Sequence, residues 1–436
     1  MTLDIDKIID KYFNQDNLLI KHHIESYDNY IDNILPNIIS QNFPIILNYN
    51  DSQIKIKKII INCEDMKIKK PISVENNGCS KIMTPEIARL KNDTYISSIL
   101  VNFTIQIFID DNNSILELKP KTIKNVLLGK VPIMIKSKQC IMKTIDNKNE
   151  CKYDLGGYFI INGNEKVIIS QEKIVNNIPQ IYKNNKANQK YNFICEIRTI
   201  DNSNYGIPKT SSIKIRTKDN KIYCLLPHMK SEVPLFILFR ALGFSTDKEI
   251  VYAILDNDNS KLDNEILKFL RPTIEDGFEI RSEMEALDYM IKHINNNQYY
   301  IQSDEKKLKY MKECILKEYL HQLKDDLLKK IYYTGYLVNR LIKTYLGVLN
   351  VDDRDSYLNK RVETTGNLLG NLTYQAFNKM IKDMKNYINK EVNSGLCNIH
   401  NNYDDVINEI NIYKIIKSSY LENILKGAMA TGNWGL

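Results

Sequence analysis

The sequence predicts an α+β protein of more than one domain. Short runs rich in Ile, Val, Tyr and Phe occupy 56–61, 95–109 and 133–135, and again 193–198, 212–217 and 222–226, with the length and side-chain type of strands. Helical spacing of apolar residues takes over after Pro234 and dominates from Leu316 onward. A chain of 436 residues is also longer than one hydrophobic core usually serves.

The elements follow in order. Over 18–39, Leu19, Ile24, Ile31, Ile34, Leu35 and Ile38 recur at helical spacing, and Pro36 is expected to kink or divide that helix. A short helix over 84–90 interrupts the first strands, with Thr84 as N-cap and Pro85 in its first turn. The segments 158–161 and 166–170 flank Asn162-Gly163, a pair that tolerates positive φ and marks a tight hairpin. A polar Asn- and Lys-rich passage over 183–190 reads as a connector. Ser245-Thr246-Asp247 caps a helix over 249–255, and another spans 282–294, ended by 295–297. Helices over 332–345 and 368–388 follow. The second carries Leu368, Leu369, Leu372, Phe377, Met380, Ile381, Met384 and Ile388 on one stripe, the pattern of a core-facing helix. Residues 420–426 read as a last helix running into a Gly-rich loop that starts at Gly427.

Composition excludes several classes. The hydrophobic fraction of 43% and charged fraction of 26% are those of a globular protein. No apolar run is long enough to span a bilayer without charge, and the acidic start Met1-Thr2-Leu3-Asp4 lacks the basic-then-apolar order of a secretory signal. An intracellular protein is expected. Eight cysteines form no CxxC pair and no His-Cys cluster with zinc-like spacing, so they read as reduced, mostly buried thiols. His22-His23 reads as a solvated pair rather than a metal site. The formal net charge of +7 favours a polyanionic partner without demanding one. Runs such as Lys55–Lys58, Lys67–Lys70 and Lys119–Lys124 suit either solvated faces or contacts to a nucleic-acid backbone.

Few residues point to chemistry. The segment 157–166 is not a phosphate-binding loop, because Lys166 follows Asn164-Glu165 rather than a glycine and a β-rich run comes next. Asp352, Asp353 and Asp355 crowd around Arg354. Such carboxylates can bind magnesium, but with Lys360 and Arg361 nearby they read as ion-pair and capping groups. Trp434, the only tryptophan, lies among glycines, where its face can stack on a base or pack on a core. No nucleophile–base pair and no catalytic residue is visible.

A set of motifs in order carries a resemblance. Asp154-Leu155-Gly156-Gly157-Tyr158-Phe159-Ile160-Ile161-Asn162-Gly163-Asn164-Glu165-Lys166 resembles a signature of the second-largest (β-like) subunit of multisubunit DNA-dependent RNA polymerases. Residues 21–27 look like the helix that opens the protrusion domain of that family. Pro85 through Tyr95 is similar to its P-x-x-A-R-x-R-N-x-T-Y pattern, with Lys91 replacing the second Arg. Residues 128–137 resemble G-[KR]-[IV]-P-[IV]-M-[LV]-[KR]-S, and 234–244 with 271–277 resemble lobe sequence. Asp352-Asp353-Arg354-Asp355 with Lys360-Arg361 is similar to the run re-entering the protrusion, and Ala430-Thr431-Gly432-Asn433-Trp434-Gly435 resembles the fork.

The resemblance implies a protrusion over 1–185 and 351–400, an inserted lobe over 186–350, and the start of a fork over 401–436, in a polymerase of the eukaryotic, archaeal or large-DNA-virus type. It implies a part in DNA-templated transcription within a nucleotidyltransferase that uses ribonucleoside triphosphates, and no catalysis by these residues alone. Magnesium would be held mainly by the largest subunit, so no metal ligand is carried over to this chain. Partners would be the largest subunit, the remaining C-terminal part of the second subunit, other subunits, template DNA and the DNA/RNA hybrid, with no membrane. Lys130, Lys136, Lys138, Thr431, Gly432, Asn433 and Trp434 would face nucleic acid. Gly156, Gly157, Asn162, Gly163, Asp352, Asp353, Arg354 and Asp355 would be structural. The family continues through the loop in which Leu436 falls, so the fork is expected to be incomplete. The alternative is a stand-alone, non-enzymatic nucleic-acid-binding or decayed derivative of that subunit.

Overall fold

A computed structural model describes residues 5–15, 18–49, 55–75, 78–111, 114–143, 150–151, 153–184, 189–201, 206–255, 260–294, 304–394, 403 and 406–434. Cys397, the helix stop at 295–297, part of the 183–190 connector, Gly435 and Leu436 lie outside the described residues. The chain forms two units, Met1–Gln171 with Val362–Leu436, and Glu172–Arg361.

In the first unit an antiparallel sheet has the order β1 (Ile45–Asn48), β2 (Ile56–Ile68), β5 (Ile96–Asp111) and β6 (Ser114–Glu117), with β7 (Lys121–Pro132) also paired to β5. Outside this sheet stand two two-stranded ribbons, β3 (Ile72–Val74) with β4 (Ser80–Ile82), and β8 (Phe159–Ile161) with β9 (Asn164–Lys166). Alternation buries one sheet face through Ile59, Ile61, Ile99, Val101, Phe103 and Ile105. The helix Thr365–Asn393 buries all eight of its stripe residues and packs on helices Leu18–Asn29 and Leu35–Asn42 and on the helix Ser419–Thr431. A Cβ on Gly366 would overlap the Ser26 carbonyl, which is why the crossing with the early helix needs glycine there.

Several expectations are corrected. The early helix divides through a π-turn at Tyr30–Ile34, closed by the Leu35 N–H on the Tyr30 carbonyl, while Pro36 sits in the first turn of the next segment, where its missing N–H is not needed. His23 is buried, not solvated: its ring meets the Thr365 hydroxyl at 2.9 Å, and burial, then His22, lowers its pKa. The second arm of the hairpin ends at Lys166, opposite Phe159, and Val167 and Ile169 leave the ladder exposed. The last helix runs through Gly427 to Thr431 and stops at Gly432, whose φ of +74° only glycine adopts cheaply. Of the described cysteines, Cys140, Cys195, Cys224 and Cys314 are buried, and Cys79 and Cys151 exposed.

The chain passes between units within β10 (Gln171–Ile174) and β16 (Lys360–Glu363). The second unit is a meander, β11 (Gln180–Lys183), β12 (Tyr191–Thr199), β13 (Lys209–Arg216), β14 (Ile222–Leu225) and β15 (Val233–Pro234), paired in sequence order. Its core joins Ile197, Ile213, Ile215 and Cys224 to Phe236, Phe239, Leu287, Val338 and Leu341 of the helices. Thr246 with Glu249, and Ser282 with Glu285, form capping boxes that start helices Asp247–Ile254 and Glu283–Ile291. The 186 and 350 boundaries are corrected by the same sheet. Its first strand, Gln180–Lys183, precedes 186. After 350, Asp352 accepts the Ile181 N–H at 2.8 Å and pairs with Arg340 at 2.8 Å, which holds the chain through Arg361 in this unit. Residues 401–436 belong to the first unit and are not a separate body.

Candidate nucleic-acid interface

Three of the motifs read in the sequence meet at one place in the first unit. Thr84 caps the helix Pro85–Leu90, which presents Arg89 on its last turn. The following Thr94 exchanges bonds with the Asn162 turn, hydroxyl to side chain at 3.3 Å and backbone N–H to hydroxyl at 3.1 Å. The Tyr95 N–H reaches the Ile160 carbonyl at 2.9 Å, the Ile133 N–H reaches Tyr95 at 3.0 Å, and the Ile135 N–H reaches Tyr158 at 2.9 Å. Backbone pairing thus stitches 93–95, 133–135 and 158–163 together.

Arg89 gathers the polar groups of that seam. Its guanidinium donates to both Glu150 oxygens at 3.0 Å, to Glu165 at 2.8 Å and to the Tyr158 hydroxyl at 2.7 Å. Tyr158 in turn donates to Asp154 at 2.6 Å, and burial followed by that bond raises its pKa. Close approach explains two glycines. A Cβ on Gly156, already at φ +80°, would sit 2.7 Å from the Ile135 carbonyl, and one on Gly163 would sit 2.6 Å from the Asn92 side chain. Gly157 also has positive φ, but no atom crowds it closer than 3.7 Å.

The lysines expected to face nucleic acid are all engaged within the chain. Lys130 pairs with Glu422 at 3.4 Å. Lys136, in a left-handed conformation at φ +62°, donates to the Asp154 carbonyl. Lys138 pairs with Asp32 at 2.5 Å, which raises its pKa, while its backbone N–H serves Asp28 at 2.9 Å. What joins Lys130 to the C-terminal residues is the preceding Gly129: a Cβ there would lie 3.0 Å from Leu421, so its absence lets Ser419–Thr431 dock on β7.

The far end of that helix is open. Thr431, Gly432 and Asn433 are exposed and Trp434 is half-buried. The Thr431 hydroxyl turns back to the Gly427 carbonyl at 2.8 Å and accepts the Asn433 N–H at 3.3 Å. A groove of about 600 Å³ runs beside them, lined by Gln375, Lys379, Tyr420, Asn423, Thr431 and Asn433 over an apolar floor of Leu372 and Ile424. Lys379 stands over the Tyr420 ring at 4.8 Å with Lys417 at 5.7 Å, and the Tyr420 hydroxyl donates to Asp383 at 3.0 Å. Sequence reasoning missed Lys379 and Lys417; Lys379 lies on the helix Thr365–Asn393 outside its apolar stripe, and Lys417 lies in the link before Ser419–Thr431, where no sequence signal marked it.

The acidic run belongs to the second unit, where Asp353 accepts the Asp355 N–H at 2.9 Å and Arg354 covers the Tyr182 ring at 4.5 Å. With Asp352 committed to Arg340 and Ile181, the run braces its own loop. Among the described residues no group of three His, Cys, Asp or Glu is placed to hold a metal ion, and no helix is long and apolar enough to cross a membrane.

The seam thus joins motifs spread through residues 84–166 of one unit, and comparison with known proteins places the chain. The RNA polymerase beta subunit family matches residues 18–420, and the chain belongs to that family. The DNA-directed RNA polymerase II subunit 2 of Arabidopsis thaliana is 32% identical across 98% of this chain and 36% of its own length. DNA-directed RNA polymerase subunit 2 of Acanthamoeba polyphaga mimivirus is 30% identical over 98% of this chain and 36% of its length, and subunit Rpo2 of Saccharolobus shibatae 29% over 98% and 35%. The chain spans about a third of the length of these curated relatives.

Proposed function

We propose that this chain is the N-terminal part of the second-largest subunit of a DNA-directed RNA polymerase and acts in DNA-templated transcription only within that enzyme. In this reading its first unit is the protrusion together with the start of the fork, and its second unit is the lobe. The observation that carries it is the seam at Arg89, where motifs spaced through 84–166 are used together as one structural device, alongside kinship across nearly the whole chain. Its partners are the largest subunit, the rest of the second subunit, other subunits, template DNA and the DNA/RNA hybrid, in the nucleus, a cytoplasmic viral factory or a virion.

By its resemblance to the family, magnesium in the complete enzyme would be held mainly by the largest subunit; in this chain Asp352 pairs with Arg340 and Asp353 accepts the Asp355 N–H. The role of this chain is to line the cleft. Thr431, Gly432, Asn433 and Trp434 with Lys379 offer hydroxyl, amide, aromatic and ammonium groups that suit phosphate and base contacts without sequence preference. Lys130, Lys136 and Lys138 add positive charge, weakened by their carboxylate and carbonyl partners.

Co-expression with the remainder of the second subunit and the largest subunit tests this. The chain should co-purify with them and support extension of a primed template, while the chain alone with magnesium and ribonucleotides extends nothing. Templated extension by the purified chain alone, or failure to assemble with the other parts, would overturn the reading. Charge reversal at Lys379 should weaken template retention most at low salt.

A further inference from the structure

The ribbon of β3 and β4 leaves an apolar face open among the described residues of the first unit. Ile72 stands opposite Ile82, and Val74 opposite Ser80. Side chains two apart on a strand share a face, so Ile72, Val74 and Ile82 form one β-branched patch, exposed by 44%, 71% and 50%. The reverse face is different: Ser73 is buried and Lys81 pairs with Glu75 at 2.9 Å.

The backbone is open as well. The Met83 N–H bonds the Pro71 carbonyl at 3.0 Å and the Glu75 N–H bonds Cys79 at 2.9 Å. That pattern makes 71, 73 and 75 the inward-bonding residues, so Ile72, Val74, Ser80 and Ile82 turn their N–H and C=O groups away from the partner strand. Among the described residues the ribbon has no third strand. An isolated two-stranded ribbon is marginal in water, and an open edge beside an apolar face is a template for another strand.

Charge says what kind of strand. Between Met66 and Met83 the sequence carries Lys67, Lys69, Lys70 and Lys81 against the single Glu75, and all four lysines are exposed. We infer that this ribbon is a docking site for an extended acidic segment of a partner protein, which adds as a third strand and covers Ile72, Val74 and Ile82 with alternate apolar side chains. Main-chain bonds to the edge would supply affinity, the β-branched patch would select apolar residues at every second position, and the lysines would select acidic residues between them.

The test uses the full chain and fluorescein-labelled eight-residue peptides, read by anisotropy at neutral pH. A peptide alternating Glu and Val should bind at least about tenfold more tightly than one alternating Lys and Val or one alternating Glu and Ser. Val74→Asp and Ile82→Asp, both at exposed positions, should each weaken it by about tenfold or more. The double variant Lys67→Glu, Lys69→Glu alters charge alone. It should weaken binding with the thermal midpoint unchanged, which keeps the test decisive if an apolar variant fails to fold. Equal binding of the Lys/Val peptide, no binding at millimolar peptide, or indifference to all these variants would overturn the proposal. So would a concentration-dependent dimer in sedimentation that Val74→Asp abolishes, which would put a second copy of the chain there.

Discussion

Arg89 in the first unit and Lys330 in the second are both cations drawn inward, and the fold treats them in opposite ways. Arg89 keeps 27% of its side chain exposed and meets Glu150 and Glu165. Lys330 is fully buried, and among the described residues its ammonium donates to the carbonyls of Ile315, at 3.0 Å, and Leu316. Those carbonyls lie in the π-turn Cys314–Glu318, the last turn before the helix ends at Tyr319, where carbonyls lack helical partners and can accept from the ammonium. Burial, only partly offset by Asp325, lowers the Lys330 pKa to about 8. A matched cation holds structure together at any ordinary pH. An unmatched one ties the stability of its unit to the proton.

The largest expected effect comes from breaking the matched site. Arg89→Leu leaves Glu150, Glu165 and the Tyr158 hydroxyl without their donor at the seam of three motifs. Removing one member of a largely buried network costs about 3–5 kcal/mol, and the partial exposure of Arg89 brings the expectation to about 2–3 kcal/mol. Arg89→Lys should recover less than half, because a point charge cannot reach two carboxylates and a hydroxyl at once. Urea unfolding of the full chain, following a probe in the first unit, measures this. A loss below about 0.5 kcal/mol would place Arg89 among ordinary surface ion pairs.

At Lys330 the expected effect depends on pH and is smaller at neutral pH. Its folded pKa of about 8 lies below the ordinary lysine value of about 10.4. Between those values the unfolded chain binds more protons, so stability rises with pH through that window, by roughly 3 kcal/mol in all. Below the folded value both states carry the proton and the full penalty applies. Above the unfolded value both are neutral and it vanishes. Lys330→Met should flatten that rise, and at neutral pH should shift stability by no more than about 1–2 kcal/mol, since it loses two hydrogen bonds but also a desolvated charge. A variant that kept the rise would assign it to another group.

The same contrast separates what the sequence disclosed from what it concealed. Local signals were legible: Asn162-Gly163 gave the turn, Thr246 and Ser282 the helix starts, and the stripe from Leu368 to Ile388 the buried face. Each depends on residues a few positions apart. The partners of the expected nucleic-acid lysines were not legible, because Lys138 finds Asp32 and Lys130 finds Glu422 only after the chain has folded back. His23 looked solvated for the same reason: Thr365, which buries it, lies in the second segment of its unit. The helix Ser260–Asp276 runs through Pro272, against the usual reading of proline as a stop. The ribbon of β3 and β4 gave no periodicity, since its strands have only three residues each.

The smallest expected effect sits where the two ends of the first unit meet, and it sharpens the distinction between fit and charge. Gly129 has an ordinary φ, so a substitution there is resisted only by the neighbour that fills the space. An added Cβ would lie 3.0 Å from both Cβ and Cδ2 of Leu421, and 3.5 Å from the Ser418 carbonyl. Cδ2 of Leu421 can yield by a rotamer, whereas its Cβ is fixed by the helix backbone, so strand and helix must part by a few tenths of an ångström; the Ser418 carbonyl is at ordinary contact distance. Gly129→Ala should therefore cost about 1 kcal/mol. Leu421→Ala alone should cost more, about 2–3 kcal/mol, because it opens space in a buried contact. Combined, they should be less destabilising than their sum by about 0.5–1 kcal/mol, since the new methyl fills part of the cavity left by leucine. The Lys130–Glu422 pair should survive in the double variant, seen as an unchanged effect of Glu422→Gln. Strict additivity would mean that strand and helix meet through the ion pair and not through the glycine.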